Sequence, residues 1–171
     1  MDLHLTGKAF DWRGFGASSH NPQHYWFADY LADLDALLDQ LVGEQKIHIV
    51  GHSMGANISA LYAGTRPDRL ASLALLEGFG LPDSNPDDAP KRMANWLDQL
   101  REPPEHKRYP SLDALATKLQ KRNPRLSMEQ AQFIASQWAA EQSNGEWMLK
   151  ADPRHKMQGP VLYRRQEALA F

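Results

Sequence analysis

The sequence predicts an α/β fold, in which parallel strands are joined by helices that cross over between them. Three observations lead to this prediction. Apolar residues recur at spacings of three and four between residues 26 and 41, which is typical of a helix. A short β-branched run at 46–50 follows, and a second helical stretch and a second apolar run then repeat the pattern. The chain has 171 residues, enough for about one domain.

The first elements along the chain surround a loop. GKAFDW at 7–12 predicts the end of a strand, and RGFGASSHNP at 13–22, with two glycines and a proline, predicts a loop. A helix follows, and Gly43 is placed to end it. The apolar face of this helix consists of Trp26, Phe27, Tyr30, Leu31, Leu34, Leu37, Leu38 and Leu41.

Two further apolar runs flank a second helix. KIHIV at 46–50 is apolar and β-branched and predicts a buried strand. The helix is expected to run from about Met54 to Thr65 and to stop before Pro67. LASLALLE at 70–77 predicts the next strand. The order of these elements is that of a parallel sheet with crossover helices.

A Pro-, Asp- and Asn-rich segment, LPDSNPDDAP at 81–90, predicts a linker between two modules. Residues 1–83 are net acidic, whereas residues 84–128 are net basic, so the charge also changes at this point. We therefore expect one module at 1–83 and a second, helical one at 84–171.

Three helices and a short tail are expected in the second module. The first lies in DAPKRMANWLDQL at 88–100. Ser111 is expected to cap the second, and Ser127 with Gln130 forms the capping-box pattern at the start of the third, SMEQAQFIASQWAAEQ. The tail at 164–171 predicts a helix that is cut short.

The pattern Gly-x-Ser-x-Gly occurs at Gly51, His52, Ser53, Met54 and Gly55, between a predicted strand and a predicted helix. So sharp a turn puts the serine in a strained backbone conformation that lifts its hydroxyl clear of the sheet. The flanking glycines remove the Cβ atoms that would collide there. The Met54 N–H at the helix start is placed to stabilise a developing oxyanion. The alternative is a chance turn without chemistry.

With a second motif, DWRGFGASS at 11–19, the sequence resembles the bacterial esterase-like branch of the α/β-hydrolase superfamily. That family has a D-x-R-G-x-G-x-S loop about 40 residues before its nucleophile. RPDRLASLALLEGFG at 66–80 also resembles its next strand. The resemblance covers essentially the whole chain and implies a partial α/β-hydrolase fold. Residues 84–171 would then be a helical lid and a truncated return to the core.

The resemblance implies a catalytic acid and a base that follow the serine in the chain. Glu77, at the end of the strand after the elbow helix, occupies one of the family's two acid positions. The alternative is a structural glutamate that pairs with Arg13 or Arg69. The family's other acid position would lie beyond residue 171.

None of the seven histidines occupies the family's base position. His48 lies in a strand, and His52 is expected to pack beneath the elbow. Three precede the elbow, and two are expected to be solvated lid residues; these five are His4, His20, His24, His106 and His155. No His-Gly oxyanion loop precedes KAFDW. We therefore expect a core segment of a longer hydrolase, a truncated gene product or a degenerate copy, with impaired activity.

Two functions remain open from the sequence. The first is hydrolysis of a small-molecule ester-like substrate by acyl transfer through Ser53, and the second is a non-catalytic module that binds a ligand or partner. A net charge of −2 gives no support for nucleic-acid binding, and no apolar run approaches a membrane span. No cofactor and no metal are expected. The absence of cysteine fits a cytoplasmic location. Substrate and oligomeric state stay open.

Overall fold

The computed structural model describes residues 7–78 and 80–171. These form two compact units, each built from two separate stretches of chain. One contains the residues up to His24 together with Glu102–Met157, and the other contains Tyr25–Arg101 and Gln158–Phe171. The division of the chain into modules at residue 83 stays a prediction.

Helices and strands alternate in the first half of the described chain, as an α/β fold requires. In the described residues the helices are α1 (Phe27–Val42), α2 (Met54–Thr65), α3 (Ala89–Arg101), α4 (Leu112–Arg122), α5 (Met128–Trp138) and α6 (Arg165–Ala168). The strands are β1 (Ile47–His52), β2 (Leu70–Leu76), β3 (Arg108–Tyr109), β4 (Ala139–Glu141) and β5 (Trp147–Leu149). In the described residues, no helix is both long and apolar enough to cross a membrane.

The predicted face of α1 is confirmed at its centre but not at its ends, where Trp26, Phe27 and Leu41 are exposed. Tyr30, Leu34 and Leu38 are buried on one side of this helix. Gly43 follows its last residue with a φ of 56°, and the Gly43 N–H donates to the Asp39 carbonyl at 3.2 Å. A positive φ is costly for residues with a side chain, so the glycine ends the helix for the reason that the sequence indicated.

The predicted serine caps are also confirmed. The Ser111 hydroxyl accepts a hydrogen bond from the Ala114 N–H at 3.1 Å. The Ser127 hydroxyl accepts one from the Gln130 N–H at 3.1 Å, and the Gln130 side chain accepts the Ser127 N–H at 2.9 Å. This reciprocal pair satisfies two N–H groups at the start of α5. The predicted tail helix forms a single short turn, Arg165–Ala168.

β1 and β2 form a parallel pair that α2 covers on one face. Within this pair Val50 lies opposite Ala74, and His52 lies opposite Leu76. α2 packs against both strands, and α1 packs against α2. Ile58 and Tyr62 are the largest fully buried side chains and both belong to α2. The parallel sheet core predicted from the sequence is thus present, although it has only two strands in the described residues.

The prediction of a buried strand at 46–50 is wrong for one face of the sheet. The Val50 side chain is 71% exposed and Leu76 is 52% exposed. His48 and His52 are exposed on the same face, because alternate residues of a strand share a side. α2 covers the opposite face.

The second half of the chain is not all-helical, contrary to the prediction. α4 and α5 pack together around Leu115, Ala116, Ala131 and Ala135. β3, β5 and β4 form an antiparallel sheet beside them, in that order. The helix predicted to continue to Gln142 ends at Trp138, because Ala139–Glu141 pairs with β5. The hairpin turns at Gly145, whose φ is 80°.

The strand end predicted at 7–12 is wrong for the described residues 7–10, which are irregular, and Asp11 and Trp12 lead into a loop. The Asp11 carboxylate accepts the Ala17 N–H at 3.0 Å, and the Ser18 hydroxyl donates to the Asp11 carbonyl at 2.6 Å. The Gly14 carbonyl accepts the Asp152 N–H at 2.8 Å. The two Asp11 bonds fold the segment back on itself, and the Gly14 bond joins it to Asp152.

Candidate active site

Ser53 lies between the last residue of β1 and the first residue of α2. Its φ is 52° and its ψ is −117°, a combination that residues other than glycine rarely adopt. Its N–H donates to the Leu76 carbonyl at 2.9 Å, so the ladder with β2 continues into the turn. The residue is exposed. The backbone therefore bends sharply and presents the hydroxyl at the carboxyl end of the sheet.

Close packing explains the glycine at position 51. A Cβ added to Gly51 would lie 2.6 Å from the Gly55 carbonyl oxygen and 2.7 Å from the Ala56 Cα. Both contacts are with backbone, which cannot rotate away. The strand and the helix can approach this closely only without a side chain at position 51.

The start of α2 supplies the N–H groups that surround the turn. Met54 is its first residue, a position whose N–H has no acceptor within its own helix. The Ser53 carbonyl accepts the N–H groups of Ala56 at 3.0 Å and Asn57 at 3.2 Å. Met54 lies at the start of the helix that follows Ser53, and the role of its N–H as an oxyanion donor stays a prediction.

Glu77 follows the end of β2 and pairs with a histidine. Its Oε2 lies 3.4 Å from the His52 Nε2. The Glu77 side chain is 86% exposed and that of His52 is 67% exposed, so the expectation that His52 packs beneath the elbow is wrong. The alternative of a pair with Arg69 is also wrong, because Arg69 donates to Asp39 at 2.7 Å.

The segment after Glu77 lies against the elbow. Glu77 has a φ of 50°, and it and Ser53 are the two residues other than glycine with a positive φ in the described chain. A Cβ on Gly78 would lie 2.5 Å from the Ser53 carbonyl oxygen and would overlap the Ala56 side chain. The turns that follow β1 and β2 are therefore in backbone contact.

Three residues of this site were not assigned a role from the sequence. His52 was placed on the wrong side, because its position depends on which sheet face the helices cover. Gly78 carried a signal, namely a glycine directly after a predicted strand end. Asn57 carried none, since an asparagine in a helix most often faces solvent.

His48, His20 and His155 contact residues other than Ser53. His48 Nδ1 lies 2.7 Å from the Ser72 Oγ, and His20 Nδ1 lies 3.6 Å from the Asp152 carboxylate. The His155 ring stacks on Phe15 at 3.9 Å between centroids. Burial lowers the pKa of His155, so the expectation of a solvated surface residue is wrong here. His4 lies outside the described residues.

The Ser53 hydroxyl makes no hydrogen bond to any residue that the structure describes. An acyl-transfer serine needs a base at this oxygen, with a carboxylate that orients the base. Of these groups, the structure describes a carboxylate: Glu77 follows β2, whose end lies beside the end of the strand that leads into Ser53. His52 lies within 3.4 Å of this carboxylate. The arrangement can present a nucleophile and an oxyanion donor.

Comparison with known proteins agrees with this geometry. Residues 4–148 match the family described as alpha/beta hydrolase fold. A serine hydrolase-like protein from Danio rerio is 35% identical over 74 residues, which are 42% of this chain and 22% of that protein.

Two solved structures are similar over most of the chain. A hypothetical protein from Pseudomonas aeruginosa PAO1 has a TM-score of 0.81 and 27% identity, over 94% of this chain and 57% of that one. A thioesterase domain from the curacin biosynthetic pathway has a TM-score of 0.77 and 28% identity, over 93% of this chain and 56% of that one. The chain thus spans little more than half the length of these structures.

Proposed function

Because the chain belongs to the alpha/beta hydrolase fold family, we propose that it is a serine hydrolase that acts on small-molecule, ester-like substrates through Ser53. The observation that carries this proposal is the exposed Ser53 at a φ of 52° between β1 and α2. A strained serine at a strand-to-helix turn is the arrangement that the Gly-x-Ser-x-Gly motif requires.

Acyl transfer from such a serine follows a defined order of bond changes. The Ser53 oxygen attacks the substrate carbonyl carbon and loses its proton to a base, while the carbonyl oxygen becomes an oxyanion near the Met54 N–H. The bond to the leaving group then breaks, and the leaving group takes up the proton. Water attacks the acyl-serine in the same way and restores the hydroxyl.

Glu77 is proposed as the carboxylate that orients the base. Its support is position, because Glu77 follows β2 directly and β2 pairs with the strand that leads into Ser53. Its Oε2 also lies 3.4 Å from the His52 Nε2 at this edge of the sheet. The base itself is not assigned, since the Ser53 hydroxyl bonds no histidine that the structure describes.

Thioesters belong to the proposed range of substrates together with oxygen esters. One of the similar structures is a thioesterase domain, at 28% identity over 93% of this chain. Both kinds of bond are cleaved by attack on a carbonyl carbon with an oxyanion intermediate, so the same serine and N–H donor serve for both. We also propose a cytoplasmic location, which the absence of cysteine supports.

A serine-directed fluorophosphonate tests the proposal without knowledge of the substrate. The serine oxygen displaces fluoride from phosphorus, and the protein gains a covalent tag. We expect labelling of the unmodified chain, complete loss in Ser53→Ala, and no loss in Ser143→Ala, a control serine in an exposed turn. Circular dichroism of each variant checks the fold. Well-folded protein that takes no label contradicts the serine hydrolase proposal.

A second candidate function is a hydrolase-like module that binds a ligand or partner without turnover. The observation that favours it is the Ser53 hydroxyl, which has no hydrogen bond to a base within the described residues. Unlabelled but folded protein that still binds an ester by calorimetry would select this function over catalysis. Labelling lost in Ser53→Ala selects the enzyme.

A further inference from the structure

Asn57 links the turn that carries Ser53 to the turn that follows Glu77. Its Nδ2 donates to the Ser53 carbonyl at 3.3 Å, and its Oδ1 accepts the Gly80 N–H at 3.1 Å. Ser53 and Gly80 lie on different connections, one after β1 and one after β2. The two bonds also fix the orientation of the amide, because a carbonyl can only accept and an N–H can only donate.

The link joins two strained segments. Ser53 has a φ of 52°, Glu77 a φ of 50° and Gly80 a φ of 66°. Such conformations persist where the surrounding structure holds them in place. The Ser53 carbonyl receives three donors, the N–H groups of Ala56 and Asn57 and the Asn57 side chain. One of these three donors belongs to the same side chain that holds the loop after Glu77.

The main-chain hydrogen bonds of α2 cannot substitute for the two bonds that the Asn57 side chain makes. α2 satisfies its own backbone through main-chain bonds, and an asparagine is a poor choice for a helix interior on propensity alone. At this position the side chain is partly buried and both ends of its amide are used. Its cost in helix propensity is offset by a bond that no apolar residue can make.

We propose that Asn57 is a positioning residue that fixes the distance between the proposed nucleophile Ser53 and the proposed acid Glu77. This inference rests on the proposed function of Ser53. Asn57 touches neither the substrate nor the hydroxyl. It acts through the Ser53 carbonyl and the Gly80 N–H, so its loss lets the turn after β2 move relative to the elbow.

Asn57→Leu removes both bonds while it keeps the branched shape of the side chain, and it tests the proposal. We expect the Gly80 amide to exchange its hydrogen about fivefold faster or more, the factor that corresponds to one intramolecular hydrogen bond. We expect fluorophosphonate labelling of Ser53 to slow by about tenfold to 100-fold, because small misplacements of reacting groups have effects of this size. Thr65→Val is the matched control, since it removes a side-chain bond to the Leu61 carbonyl at the far end of the same helix.

Asn57→Asp provides a second variant in case Asn57→Leu does not fold. It keeps an acceptor for the Gly80 N–H but loses the donor to the Ser53 carbonyl. We expect Gly80 to keep its protection in this variant while labelling still slows. Gly80 exchange that is the same in Asn57→Leu and in the unmodified chain overturns the link, and faster exchange with unchanged labelling overturns the positioning role.

The two measurements also separate this inference from the proposed function. An unmodified chain that takes no label contradicts the function of Ser53 and, with it, the positioning role. The exchange of the Gly80 amide is independent of catalysis, so it still decides whether Asn57 joins the two turns.

Discussion

His52 and Glu77 face each other across the ends of two parallel strands, with the histidine Nε2 3.4 Å from the glutamate Oε2. Each belongs to a turn that holds a strained backbone, since Ser53 follows His52 and Glu77 itself has a φ of 50°. Both side chains are largely exposed. Water screens an ion pair of this kind, which typically contributes less than about 1 kcal/mol to stability. The contact would therefore matter for the orientation of the two side chains and not for stability.

Glu77→Gln separates the role of this carboxylate in catalysis from its role in stability. We expect hydrolysis of p-nitrophenyl butyrate to fall by at least about 100-fold, because the base that the proposed mechanism requires would lose its orienting carboxylate and adopt the wrong tautomer. The free energy of unfolding in urea should change by less than about 1 kcal/mol. Glu105→Gln, at an exposed glutamate, is the control. Equal turnover in Glu77→Gln and Glu105→Gln would show that the Glu77 carboxylate has no role in catalysis.

Gly51→Ala should destabilise the elbow. The new Cβ would lie 2.6 Å from the Gly55 carbonyl oxygen, and this backbone has no room to move. We expect the free energy of unfolding to fall by about 1–3 kcal/mol or more, together with slower labelling of Ser53. Gly159→Ala is the matched control, since a Cβ there meets nothing within 4 Å. Similar urea midpoints for the two variants would contradict the close packing at position 51.

Leu115→Ala should destabilise the core between α4 and α5. Leu115 is 2% exposed and belongs to the buried cluster of this unit. Its truncation leaves a cavity, so we expect a loss of about 2–5 kcal/mol in the free energy of unfolding. Leu97→Ala, at a side chain that is 44% exposed, should change it far less. Thermal and urea unfolding measure the stability of both variants. A larger loss of stability in Leu97→Ala than in Leu115→Ala would contradict the placement of Leu115 in the core.

Stability should fall in mild acid because of His155. Burial lowers its pKa in the folded chain below the ordinary 6.5, and the charge of His20 acts in the same direction, while the Gly14 backbone and Asp152 oppose it. The unfolded chain then binds more protons, so the free energy of unfolding rises with pH. The contribution is present in full above about pH 7 and declines as the pH falls through 6.5.

His155→Phe checks this pH dependence. It keeps an aromatic ring against Phe15 and removes the titrating group. Urea unfolding at about pH 8 and about pH 5.5 should show a smaller pH effect in His155→Phe than in the unmodified chain. His106→Gln should keep the original dependence. If the pH dependence of stability is unchanged in His155→Phe, groups other than His155 cause it.

Features that depend on neighbouring residues in the chain were predictable from the sequence. The end of α1 at Gly43 and the capping box of Ser127 and Gln130 each involve a few consecutive residues. The elbow was also predictable, because its glycines and serine occupy fixed positions between a strand and a helix. In each case the physical cause lies within about one helical turn of the residue concerned.

Features set by distant pairing were not predictable in the same way. Residues 139–141 have a composition that suits a helix, yet pairing with β5 makes them a strand. The Ser-Asn-Gly sequence at 143–145 was the available turn signal. The exposure of Val50 and His52 depends on which face of the sheet α2 covers, which no local pattern states. Asn57 joins two connections whose proximity only the folded sheet creates.

The hydrogen bond from the Asp152 N–H to the Gly14 carbonyl has a consequence for biosynthesis. The two partners are far apart in the sequence, and the residues between them include the whole elbow. The ribosome synthesises the loop at Gly14 well before Asp152. The hydrogen bond between them can therefore form only after the elbow has been synthesised. Contacts of such high sequence separation form late and slow folding.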